Sequence, residues 1–192
     1  MKSKTFAAIA FALPMMMSVS AYAEGPHVAP IMELIEGDLK AAMSDATVID
    51  AIKAQNAAHA SLSADEIDAL DKQWRAEVDA SSKPLIEKVA GNPLSAYLSK
   101  VKSNGGGLYT EIFVMDNKGL NVGMSDTTSD YWQGDEGKFQ KTFGAGANGV
   151  FVDEVEEDES SQTLQSQASF TITDGSGAAI GAVTFGINVN DL

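Results

Sequence analysis

The chain has 192 residues, of which 44% are hydrophobic and 21% charged. That length holds one ordinary domain with a short helical appendage, and the composition excludes wholesale disorder. The 27 acidic residues outnumber the 13 basic ones and give a formal charge of −14, which argues against nucleic acid and anionic lipid as partners. Cysteine is absent, so disulfides, thiolate catalysis and cysteine-ligated metals are excluded.

The chain opens with Lys2 and Lys4, an apolar run from Phe6 to Val19, and Ala21-Tyr22-Ala23. A positive start, a short apolar core and an Ala-x-Ala pattern read as a cleaved export signal over residues 1–23. The competing reading, an uncleaved anchor, is weakened by the short apolar run and by Pro14. The mature protein is then expected to begin at Glu24 and to be periplasmic or secreted.

Residues Ile31 to Asn56 read as one helix. Ile31, Leu34, Ile35, Leu39, Met43, Ile49 and Ile52 recur at three- and four-residue steps along one stripe. Ser63-Ala-Asp-Glu66 is a capping box opening a second helix through Ile67, Leu70, Trp74 and Val78, which Pro84 ends. Asn92-Pro93 starts a third, closed by Gly105-Gly106-Gly107. His27 near the expected mature N-terminus and His59 in an inter-helix loop are both expected in solvated positions. Residues 24–104 form the helical region and 105–192 the sheet region, together one structural unit.

From Leu108 the period changes to two. Leu108–Met115, the turn Asp116-Asn-Lys-Gly119 and Leu120–Met124 form a hairpin. A polar, aromatic segment follows, with a helix from about Asp135 to Phe143. Val150–Val155 is a short strand. Asp153 to Glu159 holds six acidic residues in seven positions and reads as a solvated turn, since it lacks the spaced ligands and glycine of a calcium loop.

Thr163–Thr173 and Ala178–Val189 flank Asp174-Gly-Ser-Gly177. A tight hairpin there pairs Ala168 with Val183, Ser166 with Phe185, Leu164 with Ile187 and Phe170 with Gly181 on an apolar face. That face must bury against the helices. The other face pairs Ser169 with Ala182, Gln167 with Thr184 and Gln165 with Gly186. It is either solvated or the floor of a polar cavity, and the small Ala182 and Gly186 favour the cavity.

Ser125 to Glu136 is the densest candidate for function. Tyr131 and Trp132 offer rigid contact area, and Asp130, Gln133, Asp135 and Glu136 offer hydrogen bonds. The alternative is a loop pinned to the core by its aromatics. No Gly-x-Ser-x-Gly, His-Glu-x-x-His, phosphate loop or dinucleotide fingerprint occurs, so catalysis is not expected; a carboxylate pair is the remaining hydrolase reading.

From about Leu85 to Leu192 the chain resembles the Cache (PDC-like) extracytoplasmic sensor domains of bacterial receptors. The resemblance rests on Glu111-Ile-Phe-Val-Met-Asp116, Asn117-Lys-Gly119, Ser125, Ser129-Asp-Tyr-Trp-Gln-Gly-Asp-Glu136 and Gly181-Ala-Val-Thr-Phe-Gly-Ile-Asn-Val189. It implies an α+β fold of long N-terminal helices packed on a five-stranded antiparallel sheet. It also implies a small-ligand pocket on the other face, covered by the segment between the second and third strands. The expected ligand contacts are Asp130, Tyr131, Trp132, Asp135 and Lys138, with Gln167 and Thr184 as floor. No catalytic residue, metal or cofactor is expected.

The sequence departs from the family in two respects. Receptors of the family continue into a transmembrane helix and an output module; this protein is expected to have no output module of its own, and a separate membrane receptor is an expected partner. The amine-binding and carboxylate-binding patterns of the family are not reproduced. Asp130 and Asp135 beside Tyr131 and Trp132 suit an amine or other cationic metabolite. The competing function is an interaction module, homodimerising or binding a partner through the Ile31–Asn56 helix.

Overall fold

The computed structural model describes residues 25–158 and 163–192. The export signal expected over residues 1–23 and the end of the acidic run at Glu159 lie outside the described residues. Among the described residues no helix is long and apolar enough to cross a membrane.

The fold is α+β. The strands are β1 (Tyr109–Met115), β2 (Asn121–Met124), β3 (Val150–Val152), β4 (Glu156–Asp158), β5 (Thr163–Thr173) and β6 (Ala179–Asn188). All pairings are antiparallel, in the order β2-β1-β6-β5-β3. The expected five strands are there, and β4 adds a sixth by pairing Glu156–Asp158 with Thr163–Gln165. The acidic run is therefore partly strand: the backbone of Glu156–Asp158 joins the ladder while the side chains of Glu156 and Glu157 are exposed, and charge there guards a sheet edge.

The expected single helix over Ile31–Asn56 is broken. Helix α1 (Val28–Leu34) passes into a π-helical turn (Ile35–Leu39) and a short α2 (Lys40–Met43). The chain then bends at Ser44, and α3 (Ala46–Ala58) starts afresh with Asp45 as its cap, accepting from the Thr47 amide at 2.8 Å. Asp45 competes locally for backbone donors, and the apolar stripe shows no sign of that competition. Helix α4 (Ala64–Val78) carries the complete Ser63/Glu66 capping box. Pro84 does not merely end α4; it opens a separate helix, α5 (Pro84–Ala90). The Glu77 carboxylate caps α5 from α4, accepting from the Leu85 and Ile86 amides at 2.8 and 3.0 Å. Helix α6 (Pro93–Asn104) is capped by Asn92.

The helices divide between the two faces of the sheet. Ile31, Ile35, Val48, Ile52, Leu94 and Leu98 bury against Ile112, Val114, Phe170, Val183, Phe185 and Ile187. Each such fully buried side chain contributes roughly 1.5–3 kcal/mol. On the opposite face Trp74, Ile86 and Val89 of α4 and α5 pack with Phe113, Met115, Tyr131, Phe139 and Ala182. Sequence alone assigns all the helices to one face; in fact α4 and α5 share the other with the covering segment.

The last hairpin keeps its expected faces but not its register. Ala168 pairs with Phe185, Ser169 with Thr184, Phe170 with Val183, Gln167 with Gly186 and Gln165 with Asn188. The slip is two residues. The loop runs from Asp174 to Ala178, and a further irregularity lies between Ile172 and Thr173. Two residues leave the alternation intact, so inward positions stay inward, except that Leu164 stands 43% exposed beyond the end of the core.

Asp174 organises the turn. Its Oδ1 accepts from the Ser176 amide at 2.9 Å, the Ser176 hydroxyl at 2.6 Å and the Ala178 amide at 3.2 Å. Lys53 adds an ion pair at 3.3 Å. The Ser176 bonds lead in holding the Asp174 carboxyl down at about 2. A pKa lowered in the folded state stabilises the fold above the ordinary carboxyl range and ceases to do so as pH falls through about 2. Titration of the Asp174 carboxyl followed by NMR is expected to show a midpoint near 2, moving towards the ordinary value in Ser176→Ala.

Candidate functional site

Residues 125–149 link β2 to β3 and lie over the polar face of the sheet. Helix α4 grips the first half of this segment. The Asp71 Oδ1 accepts from the amides of Tyr131 and Trp132 at 2.9 and 3.0 Å. Arg75 bridges the Asp71 and Asp130 carboxylates at 2.7 and 2.9 Å. Trp74 donates its indole N–H to the Thr128 carbonyl at 2.8 Å and stacks on Tyr131 with centroids 5.1 Å apart. Trp132 donates its indole N–H to the Lys118 carbonyl at 2.8 Å. The Asp130 carbonyl accepts from Asn121, Thr128 and Gln133.

The turn below is equally tight. Asp116, wholly buried, accepts from the Lys118 and Leu120 amides, from Gln55 at 3.0 Å and meets His59 Nδ1 at 2.9 Å. Gly119 takes φ +82°, and a Cβ there would strike the backbone of Gly134 at 2.7 Å. His59 is thus engaged with Asp116 rather than solvated. His27, also expected in solvent, is buried and meets the Asp153 carbonyl at 3.1 Å.

The second half of the segment walls a polar cavity of about 280 Å³. Glu136, Gly137 and Lys138 form one side, Asp153, Glu154 and Glu156 another, and Gln165 and Gln167 of β5 the floor. Helix α7 (Gly137–Gln140) is a single turn, shorter than expected, and it presents Lys138. The Lys138 ammonium pairs with Glu136 at 2.8 Å and lies 5.5 Å from the Phe113 ring centre. Gln167 donates to Glu111 at 3.0 Å, and Gln165 accepts from the Thr110 hydroxyl at 2.7 Å.

Of the residues singled out by sequence, Lys138 and Gln167 share this cavity. Asp130, Tyr131 and Trp132 lie in the gripped half of the segment and are not among its lining residues. Tyr131 is buried, and burial followed by the charge of Asp116 pushes its phenol well above the usual range. Asp135 is exposed. Thr184 is wholly buried, its hydroxyl 3.0 Å from that of Ser169. Glu136, Asp153, Glu154, Glu156 and Gln165 were not in the expected ligand set. Glu136 closes the stretch singled out for function and Gln165 stands on the polar face of the last hairpin, while the acidic run at Asp153–Glu159 was the signal for Asp153, Glu154 and Glu156; a run of charge does not say which cavity it borders.

Among the described residues the lining has four carboxylates against one ammonium, a net of three negative charges. Such a wall attracts cationic groups, and its amides can fix orientation by hydrogen bonds. Among the described residues there is no group of three or more His, Asp or Glu side chains able to hold a metal.

No protein family model matches the sequence, and no curated protein matches it. Solved structures are similar in fold. One is the sensor domain of the histidine kinase DctB from V. cholerae, with TM-score 0.44, 12% identity, and coverage of 86% of this chain and 54% of that one. Another is the sensory domain of the Campylobacter jejuni chemoreceptor Tlp3, with TM-score 0.41, 15% identity, and coverage of 85% and 64%. A third is a domain of a sensory box/GGDEF family protein from Vibrio parahaemolyticus, with TM-score 0.44, 12% identity, and coverage of 84% and 54%. The chain spans between about half and two thirds of the length of these chains.

Proposed function

We propose that this protein is an extracytoplasmic sensory module that binds a small, cation-bearing polar metabolite between the covering segment and β5. The observation that carries this reading is the 280 Å³ cavity with its excess of carboxylates among the described residues and its lysine already paired with Glu136. Its size suits a ligand of few heavy atoms, below the range of drug-sized sites. Glu136, Asp153 and Glu156 would hold the ammonium group, and Lys138 and Gln167 would hold its polar partner group. Asp130, Tyr131, Trp132 and Asp135 keep a role through the covering segment that carries Lys138, and Thr184 through the sheet beneath it. The lysines, apolar run and Ala-x-Ala pattern at the N-terminus support export, and a membrane receptor is the partner through which binding would be read.

The test is a calorimetric screen of the full chain against monoamines, diamines, amino acids and dicarboxylates. An amine-bearing compound is expected to bind, with affinity that falls as salt is raised. Glu136→Gln or Gln167→Ala should each weaken it about tenfold or more, the scale of one charge-assisted hydrogen bond. Binding confined to dicarboxylates, or no binding in any class, would overturn the proposal.

A further inference from the structure

A groove runs along the N-terminal helix on the side of the molecule formed by α1, α6 and the C-terminal turn. Its first part, about 470 Å³, is lined by Glu33, Leu34, Gly37, Asp38, Leu108 and Asp191 among others. A second concavity of about 400 Å³ starts on the other side of Asp38 and takes in Ala42, Tyr97, Val101 and Tyr109, with Lys100 at its border. Leu34, Ala42, Tyr97, Val101, Leu108 and Tyr109 are all half-buried residues packed on the main core. Together they give apolar surface to two neighbouring concavities that share Asp38.

The local backbone shapes the groove. The π turn at Ile35–Leu39 sends the Lys40 amide back to the Ile35 carbonyl, so one extra residue is accommodated there. Gly37 sits in that turn, and a Cβ built on it would meet nothing within 4 Å. Three carboxylates edge the first part. Among the described residues the exposed carboxylates of Glu33 and Asp38 have no hydrogen-bond or ion-pair partner, while Asp191 accepts from Asn188 at 2.8 Å. Among the described residues no lysine or arginine lines that part.

We propose that this groove docks an amphipathic helix of a partner protein, its apolar face on the apolar surface of the two concavities and its lysines or arginines on Glu33, Asp38 and Asp191. Charge complementarity selects this occupant. An apolar floor alone accepts any greasy helix, but unpaired carboxylates at the edge reject an acidic one and reward a basic one. The site is separate from the polar cavity and does not depend on the ligand-binding reading.

Fluorescence anisotropy with the full chain tests it. The probe is a synthetic helix with leucines at i, i+4 and i+7 flanked by lysines, and its twin carries glutamates in place of lysines. The lysine peptide is expected to bind and the glutamate twin not to. Gly37→Phe fills the groove from an open position and is expected to weaken binding at least tenfold with an unchanged melting temperature. Glu33→Gln with Asp38→Asn should weaken it about tenfold, and the remote pair Asp65→Asn with Glu157→Gln should not. Equal loss in the remote pair means diffuse charge attraction and overturns the proposal, as does equal binding of both peptides or of neither. A concentration-dependent dimer dissociated by Gly37→Phe assigns the groove to a second copy and overturns it too.

Discussion

Replacement of Trp74 by alanine is expected to destabilise the protein by about 4 kcal/mol, the cost of deleting a large aromatic from a closed core. The side chain is wholly buried, stacks on Tyr131 and satisfies the Thr128 carbonyl. At this chain size the loss corresponds to a fall in melting temperature of about 10 °C. Trp74→Phe separates the contributions. It keeps most of the apolar area, drops the indole N–H and should cost about 1–2 kcal/mol. The alanine variant should also weaken ligand binding. Trp74 holds the segment whose second half carries Glu136 and Lys138, and affinity falls with the fraction of molecules in which that wall is in place. Calorimetric unfolding of both variants checks the stability order. Equal melting temperatures for wild type and alanine variant would show that α4 is not docked on the segment.

Asp116→Ala is expected to cost about as much, roughly 3–5 kcal/mol, for a different reason. The carboxylate is inaccessible and serves two backbone amides, Gln55 and His59. Alanine removes the acceptor of the Lys118 and Leu120 amides and the partner of His59, while Gln55 keeps the Leu120 and Asn121 carbonyls, and each buried group left unpaired costs about 1–3 kcal/mol before relaxation. Asp116→Asn should recover about half. Its carbonyl oxygen can still serve the Lys118 and Leu120 amides, while its NH₂ faces donors on the His59 side. Urea unfolding gives the order wild type, asparagine, alanine. Amide exchange should localise the loss to the β1–β2 turn and the C-terminal end of α3.

Much of the architecture was legible in the sequence because it depends on local chemistry. The Ser63/Glu66 box, the Asn92-Pro93 start and the Asp116–Gly119 turn are short-range devices, and each appears where its residues stand. The face of each strand in the last hairpin was also legible, since a period of two survives a slip of two. The register was not. It depends on the loop at Asp174–Ala178 and on an irregularity that no composition signals. The broken helix was hidden for a similar reason: an apolar stripe measures burial, and α1 and α3 both bury theirs on the same face of the sheet.

The candidate site was the least legible part. Tyr131 and Trp132 stand out in the sequence, yet whether an aromatic meets ligand or core depends on what the rest of the chain brings against it. Here α4 brings Asp71, Trp74 and Arg75 from 60 residues away to hold them. The cavity forms downstream, where Lys138 of the covering segment meets Gln167 of β5 and the carboxylates after β3.

The sequence by itself determined the acidic charge, the lack of thiol chemistry, the α+β class, and the order of helices, hairpin, covering segment and closing strands. Those follow from composition, period and turn residues, all of which act within a few positions. Only the tertiary structure decided which helices cover which face, where the hairpin registers, and which carboxylates enclose a cavity. Those outcomes depend on contacts between residues far apart in the chain, where many pairings satisfy the same local pattern and packing selects one.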